Sequence, residues 1–428
     1  MEFPSIGFVL KWIWRFVLIA ILFFNLRLCA PSPLALDNHT VPIDLVSQLN
    51  ANRIAIDSGE PERMQQYFPE GYFFCHALHG LTWVQAALRD PSLTDQAIDE
   101  SRRASQALRS RTGTGPFPTG LPPGHGMFYC AWTAHLQAGV TLLLCRADGE
   151  QKRLDYAAEL GELRKQCDAI ASALEPSATP FLQSYRGNAW PCDSFPAIHA
   201  LVTCDRITQE QRYAQVVQKW LADALERLDT ETNLFSHTCS VTDGRDVSVA
   251  RATSQVIILR FLADIDPVLG RQHYQRFRDQ FFATFAGIPC VLEYPKGISG
   301  QGDVDSGPLI FGRSISGTVL TIAAAQMYGD TNQAHAIAQA GEVVGLPWTS
   351  GDTKQYVGGI LPVGDIIVGY AHVARPWFDA GDHHIEQPLG LSVFWRWKVH
   401  AISLLFLLPN AWTYIKRRRT RARASHFL

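Results

Sequence analysis

The chain predicts an all-α protein, an (α/α)6 toroid of helical hairpins flanked by an N-terminal and a C-terminal transmembrane helix. Three observations carry that expectation. Short apolar segments alternate with charged amphipathic ones, and the pair recurs roughly every 55 to 60 residues, as in helical repeat architectures. An aspartate closes each apolar segment. Long Gly-, Pro- and Trp-rich loops stand before them.

The apolar members, rich in Ala, His and Trp, are residues 72–88, 127–145, 194–204, 248–262 and 310–327. A helix apolar all round belongs inside, and one with a charged face belongs outside. The partners 94–109, 151–174, 210–228, 267–285 and 332–344 are therefore the outer helices. Asp90, Asp148, Asp205, Asp264 and Asp330 end the inner helices and suit capping of the outer helix that follows. The opposite ends carry the loops 113–126, 185–193, 235–251, 293–308 and 348–365, which would gather around one opening. A sixth hairpin must be assembled from the ends, and the Val-, Ile- and Gly-rich stretch 357–373 reads as a β-hairpin or an irregular last helix.

Residues 6–28 are apolar apart from Lys11, Arg15, Asn25 and Arg27, with Trp12 and Trp14 placed for an interface. Leu28-Cys29-Ala30 matches a signal cleavage site poorly, so an uncleaved anchor is expected over a signal peptide. Near the other end, 399–415 reaches about the minimum length of a span. It precedes the basic run 416–423, which would stay in the cytoplasm. With Pro409 and Asn410 in its middle, the alternative is a helix lying on the bilayer surface. The organisation expected is an anchor at 1–30, a toroid domain at 37–386, a second span at 396–415 and a basic tail at 416–428. Both termini would be cytoplasmic and the domain periplasmic or extracellular.

Hydrophobic residues make up 47% of the chain and charged ones 18%, with a net charge of -2, so the balance gives nucleic acid no footprint. The lipid bilayer and a small-molecule or glycan substrate are the partners expected, and nothing in the chain fixes an oligomeric state. Eight of the nine cysteines fall in the domain, mostly inside apolar helices, with no CxxC or zinc-type spacing. No metal or cofactor is expected. His76 and His79 share a helix face but lack a third ligand, and 379–386, although metal-like in composition, reads as a juxtamembrane loop.

General acid and base catalysis needs two carboxyl groups held in different environments. Asp303 and Asp305 lie in a Gly-rich loop directly before an inner helix, with Glu293 preceding the same loop. There the helix N-terminus would favour ionised Asp305. Asp193 sits at another inner-helix mouth. Asp305 with Asp193 or Glu293 could act on a glycosidic bond; alternatively Asp303 and Asp305 cap a helix or bind backbone amides. His125, in Pro122-Pro123-Gly124-His125-Gly126, is held where its ring can reach a cavity. Cys192 lies at a helix start that would lower its pKa, beside Asp193, which would raise it. Tyr185, Arg186, Trp190, Tyr294, Arg251 and Trp348 at the same mouths suit a stacked sugar ring or an apolar chain with a polar head. No Rossmann fingerprint, Walker loop, GxSxG elbow or HExxH occurs.

The alternating hairpins, the His125 loop, Trp190-Pro191-Cys192-Asp193-Ser194 and Asp303-Val304-Asp305-Ser306-Gly307-Pro308 resemble proteins of the linalool dehydratase/isomerase type over residues 61–370. That resemblance implies an (α/α)6 toroid and acid/base dehydration and isomerisation of a terpenoid alcohol, with His125 and Cys192 at matching positions. The family uses two nearby cysteines, whereas the next one here, Cys204, lies toward the far end of its helix. Three functions follow as expectations. The first is a glycan-processing hydrolase or lyase with Asp305 as base and Asp193 or Glu293 as acid. The second is a terpene-type dehydratase or isomerase using His125, Cys192 and Asp305, and the third is a non-catalytic envelope binding module.

Overall fold

The computed structural model describes residues 6–35, 40–378 and 395–424. Among them the chain is predominantly helical, with sixteen α-helices and five short strands. The N-terminal half holds α1 (Ile6–Arg27), α2 (Leu45–Asp57), α3 (Glu60–Tyr67), α4 (Gly71–Arg89), α5 (Thr94–Arg109), α6 (Arg111–Thr114), α7 (Gly126–Arg146) and α8 (Glu150–Leu174). Then come α9 (Pro191–Thr208), α10 (Ala214–Leu225), α11 (Ala252–Ile265), α12 (Pro267–Phe281), β1 (Phe282–Phe285), β2 (Ile288–Leu292) and β3 (Arg313–Ser314). The chain continues through α13 (Ile315–Met327), α14 (Thr331–Val344), β4 (Trp348–Ser350), β5 (Thr353–Gln355), α15 (Pro362–Val373) and α16 (Trp395–Ala424).

Six largely buried helices touch in a closed cycle: α4 packs on α7, α7 on α9, α9 on α11, α11 on α13, α13 on α15, and α15 back on α4. Each has a more polar companion outside it, namely α5, α8, α10, α12 and α14, with α2 flanking α15. The sixth pair is thus made from the two ends of the domain. The stretch 357–373, read from its β-branched content as a β-hairpin or an irregular helix, forms the inner helix α15, started by Pro362 in its first turn. Small residues set the spacing of the inner helices. A Cβ on Gly80 would meet Ala104 at 2.9 Å and Leu136 at 3.1 Å, and one on Gly139 would meet Val84 at 2.9 Å.

The capping aspartates divide into two groups. Asp330 caps α14 through Gln333 N, and Asp90 caps a short 3-10 turn through Ser92 N. Asp264 does not cap: Asp266 takes that role for α12, accepting from Val268 N and Leu269 N. Asp264 is instead buried at the C-terminal end of the inner helices. Its oxygens accept from Trp377 N at 3.0 Å and Arg260 Nη1 at 3.2 Å and face His199 Nε2 at 3.1 Å. Trp377, stacked on His135 at 4.5 Å, fills the middle of that end, so the interior is packed there.

β1, β2 and β3 form an antiparallel sheet, and β4 pairs with β5. The sheet corrects two sequence expectations. Outer helix α12 stops at Phe281 rather than 285, and α13 begins at Ile315, capped by Ser314, rather than at 310. Residues 313–314 pair as strand instead, with Val291 opposite Ser314 and Leu292 opposite Arg313. Among the described residues, the helix long and apolar enough to cross a membrane by length and composition is α7, which is mostly buried in the core. Helices α1 and α16 lie against each other with many of their apolar side chains exposed. Trp14 Nε1 donates to Asn410 Oδ1 at 2.9 Å, and His400 Nδ1 faces Asn25 Oδ1 at 2.8 Å.

Candidate active site

The N-terminal ends of the inner helices share one face of the molecule. Glu70 stands at the N-cap of α4, His125 at that of α7, Trp190 at that of α9, Arg251 at that of α11 and Ser314 at that of α13.

Arg251 organises the centre of this face. It is buried, and its Nε donates to Glu293 Oε1 at 2.8 Å, its Nη1 to Asp303 Oδ2 and its Nη2 to Ser306 Oγ at 3.2 Å. Its guanidinium also lies over the Tyr294 ring, 5.2 Å from the centroid. Glu293 is wholly buried and takes a second bond from Thr253 Oγ1 at 2.7 Å. Burial pushes its carboxyl up, against the pull of Thr253 and Arg251. Asp303 behaves oppositely: burial raises it, but the backbone N–H of Ser306 and the charge of Arg251 outweigh that and hold it below the usual range. Its Oδ1 accepts from Asp305 N and Ser306 N at 3.1 and 3.0 Å, so Asp303 is the backbone-binding residue of the loop. Asp303 Oδ2 lies 3.7 Å from His237 Nε2, whose other ring nitrogen faces Ser254 Oγ at 2.7 Å. Burial and then Arg251 lower His237 to about 4, leaving the ring neutral at physiological pH.

Asp305 differs from its neighbours in having no side-chain hydrogen bond among the described residues. Its carboxyl is pushed up to about 7, by burial first, then by Asp303 and Glu70. Asp305 also keeps open surface, which tempers the shift. The upward direction stands because three carboxylates push it the same way against Arg251 alone. Ionisation favoured by a helix N-terminus does not hold here, since the strand 313–314 separates Asp305 from α13.

Asp193 is buried in the first turn of α9 and accepts from Ser184 Oγ at 2.5 Å. Burial raises it to about 7 despite that bond, with further upward pushes from Asp305 and Glu70. Tyr185 donates to Glu70 Oε1 and faces both Asp193 and Asp305, so burial and three carboxylates drive its phenol well upward. Trp190 meets Tyr185 edge-on at 6.0 Å, and Phe117 stacks on the other side of Tyr185 at 5.9 Å. Glu70 and Asp305 thus raise Asp193, Asp303 and Glu70 raise Asp305, and of these four acidic groups only Asp303 is directly neutralised by an arginine.

The remaining expected residues are placed unequally. Cys192 is buried with its Sγ 3.7 Å from Asp193 Oδ1, and burial followed by the Asp193 charge pushes its thiol well up. The pull of the helix N-terminus is the weaker influence. Cys204 faces Cys167 of α8 instead of Cys192. His125 is half-buried at a left-handed φ of 71°, its ring 5.1 Å from that of Tyr129. Arg186 is exposed and ties down the neighbouring loop by donating to Thr119 O at 2.7 Å. Trp348 is exposed on β4, whose partner β5 packs on α2, and among the described residues no hydrogen bond or ring contact joins it to the Arg251 cluster. The expected 379–386 loop lies outside the described residues.

Three groups escaped the sequence reading: Glu70, His237 and Asp365. Glu70 precedes the first inner helix much as Trp190-Pro191-Cys192-Asp193 opens α9, and that positional rule could have found it. Asp365, in the first turn of α15, is buried and raised to about 7 by burial, while accepting from Tyr356 N at 2.7 Å. Comparison with protein-family models and with curated protein sequences finds no match.

Proposed function

We propose that this chain is a membrane-anchored, extracytoplasmic (α/α)6-toroid enzyme that processes glycans by paired acid/base carboxyl chemistry, as a hydrolase or lyase. The closed cycle of inner helices with companions outside supports the toroid. The observation that carries the chemistry is that Asp193 and Asp305, at the N-terminal end of the inner helices, are both raised to about 7, Asp193 in part by the Asp305 charge. Near neutral pH each is therefore divided between its protonated and ionised forms. The protonated member donates to the leaving glycosidic oxygen. The ionised member withdraws a proton from water, or from a carbon beside an acidic group, on the other side of the bond. Asp305, with an open side and no fixed partner, suits the base, and buried Asp193, oriented by Ser184, suits the acid. Arg251 holds Asp303 and Glu293 in place around them, while Trp190, Tyr185 and Tyr294 supply the aromatic walls.

A second proposal follows the resemblance to the linalool dehydratase/isomerase type, in which a small terpene-like alcohol is dehydrated. Cys192 beside Asp193 is the observation that favours it, a neutral thiol being able to donate to an oxygen leaving as water. A binding module without turnover is the third, favoured by the tying of Asp303 and Glu293 to Arg251. Membrane attachment is supported by the pairing of α1 with α16 and by their exposed apolar faces, from Phe16 and Leu26 to Leu405 and Trp412. Hydrogen bonds such as Trp14 to Asn410 are of the kind that hold spans together. The basic tail then keeps both termini cytoplasmic.

The deciding experiment offers the full chain, in detergent, a panel of envelope glycans and terpenoid alcohols. Glycan turnover lost in Asp305→Asn and Asp193→Asn but kept in Cys192→Ala is expected. Alcohol turnover abolished by Cys192→Ala would favour the dehydratase, and binding without turnover the module.

A further inference from the structure

We infer that the rim around the mouth is a membrane-docking surface, and that the substrate is an amphiphile whose glycosyl headgroup enters the mouth while its apolar chain stays in the bilayer. The headgroup class rests on the glycan-processing proposal above; the docking geometry stands apart from it.

The attachment of the two terminal helices fixes which end of the domain they leave from. Arg27, at the end of α1, donates to the carbonyl of Glu342 near the C-terminus of α14. Ser32, five residues later, meets His335 Nδ1 at 2.7 Å, about two turns back along the same helix. The chain thus comes off α1 at the C-terminal end of α14 and runs down it. That end leads into the loop before α15, on the same face as Glu70, Asp193 and Arg251. The start of α16 is docked beside it: Trp395 is buried among Leu28, Ala336, Ala340 and Val343, with Ile288 of β2 packed on the cluster. Arg396 Nη1 donates to Leu28 O at 3.2 Å. Both terminal helices therefore leave the domain from the mouth side.

The rim on that side is unusually apolar. Phe311 is 76% exposed and Ile360 74%, and Ile310, Ile315 and Leu346 are exposed with them. Phe311, Leu346 and Val357 hold φ values of 49°, 41° and 49°, a left-handed conformation that bulky and β-branched side chains avoid. The backbone is bent at these positions while their side chains face outward instead of folding into the core. Such strain is retained where the surroundings or a function require it. The opposite end of the inner helices is polar, with Asp148, Glu210 and Asp266 in its turns. An apolar rim continuous with two apolar helices, around a polar acidic mouth, matches the layering of a bilayer surface: acyl chains at the rim and headgroups within. Asp305 lies just behind it, its carbonyl accepting from Ser316 Oγ at 2.6 Å beside Ile315.

The test uses the full chain in nanodiscs containing a phospholipid with a photoactivatable diazirine on its acyl chain, followed by mapping of labelled peptides. Lipid adducts are expected within 304–315 and 346–361 as well as in α1 and α16, with 145–150, 205–213 and 264–268 clean. Adducts in α1 and α16 with a clean rim would overturn the docking, and a chain without adducts in any of these would overturn the anchor and the docking together. A Phe311→Glu/Ile360→Glu double variant, altering only exposed side chains, supplies the substrate arm. It should lose about tenfold in kcat/KM on a lipid-linked glycan and keep its rate on the water-soluble headgroup glycan. An equal loss on both, or none on either, would overturn the amphiphile assignment. Rim labelling in a chain that turns over neither would sink the glycan proposal and leave the docking intact.

Discussion

Asp305 raises Asp193, and this makes the Asp193 carboxyl a probe of its neighbour. Asp305→Asn removes one of the charges that disfavour ionised Asp193, so the Asp193 pKa is expected to fall from about 7 while burial keeps it above the normal range. A carboxyl-edited NMR titration of the variant reads that shift directly. Stability carries a sign of its own. The folded-state pKa of Asp193 lies above the value near 4 of an unfolded aspartate, so the folded chain holds a proton that the unfolded chain releases. The resulting stabilisation is complete below about pH 4 and is lost as pH rises through about 7. Asp193→Asn, which keeps an acceptor for Ser184, is accordingly expected to raise the thermal midpoint at pH 8, by the equivalent of ~2–4 kcal/mol, and to change it little at pH 4. Arg251→Met should act the other way, since it strands the buried Glu293 beside a lost partner, at a cost of about 3–5 kcal/mol. Its denaturation midpoint should move down accordingly. At this scale the sequence was informative about residue type and poor about role. The stretch 303–308 advertised two aspartates, but only the geometry separates Asp303, spent on backbone amides and Arg251, from Asp305. Glu70 and Tyr185 lie 115 positions apart, and their bond joins loops that no local pattern relates.

The alternation of apolar and charged segments made several helices legible: the inner helices α4 and α7 and the outer helix α5 fall within a residue or so of the spans read from hydrophobicity and closing residues. Their contact depends on glycine at positions where a Cβ has no room. Gly139→Leu places a side chain against Val84 and Trp377 and is expected to cost about 1–3 kcal/mol through overpacking, visible as a lower thermal midpoint with the helical circular-dichroism signal retained. Where the reading failed, tertiary pairing overrode local pattern. Ile310 and Phe311 extend the apolar run toward the helix, yet Leu292 and Val291 offer Arg313 and Ser314 a strand edge, and Ser314 then supplies the cap that starts α13. Likewise α15 is rich in Val, Ile and Gly, poor helix formers, and is helical because α4, α2 and α13 surround it.

For the molecule as a whole, the anchor proposal has a direct consequence. The full chain should stay with membranes through alkaline carbonate washing, and a chain beginning after Arg27 and ending before Trp395 should not. Recovery of the intact chain in the carbonate supernatant would rule out spanning helices. The closing of the helix cycle by α15, α2 and α4 carries a different implication, one of timing. Lys354 bonds Asp44, 310 positions away, so the two ends of the domain are the last parts to meet. Contacts of such separation form slowly, because the intervening chain must be ordered first. During synthesis the helix cycle stays open, with the flank of α4 uncovered, until α15 has left the ribosome. A chain halted at Gly345 should therefore be cut rapidly by protease within α2 to α4, and one extended through Phe378 should resist. The order in which the chain is made would thus protect α4 only when the domain is nearly complete, leaving a short interval in which a chaperone has the most to cover.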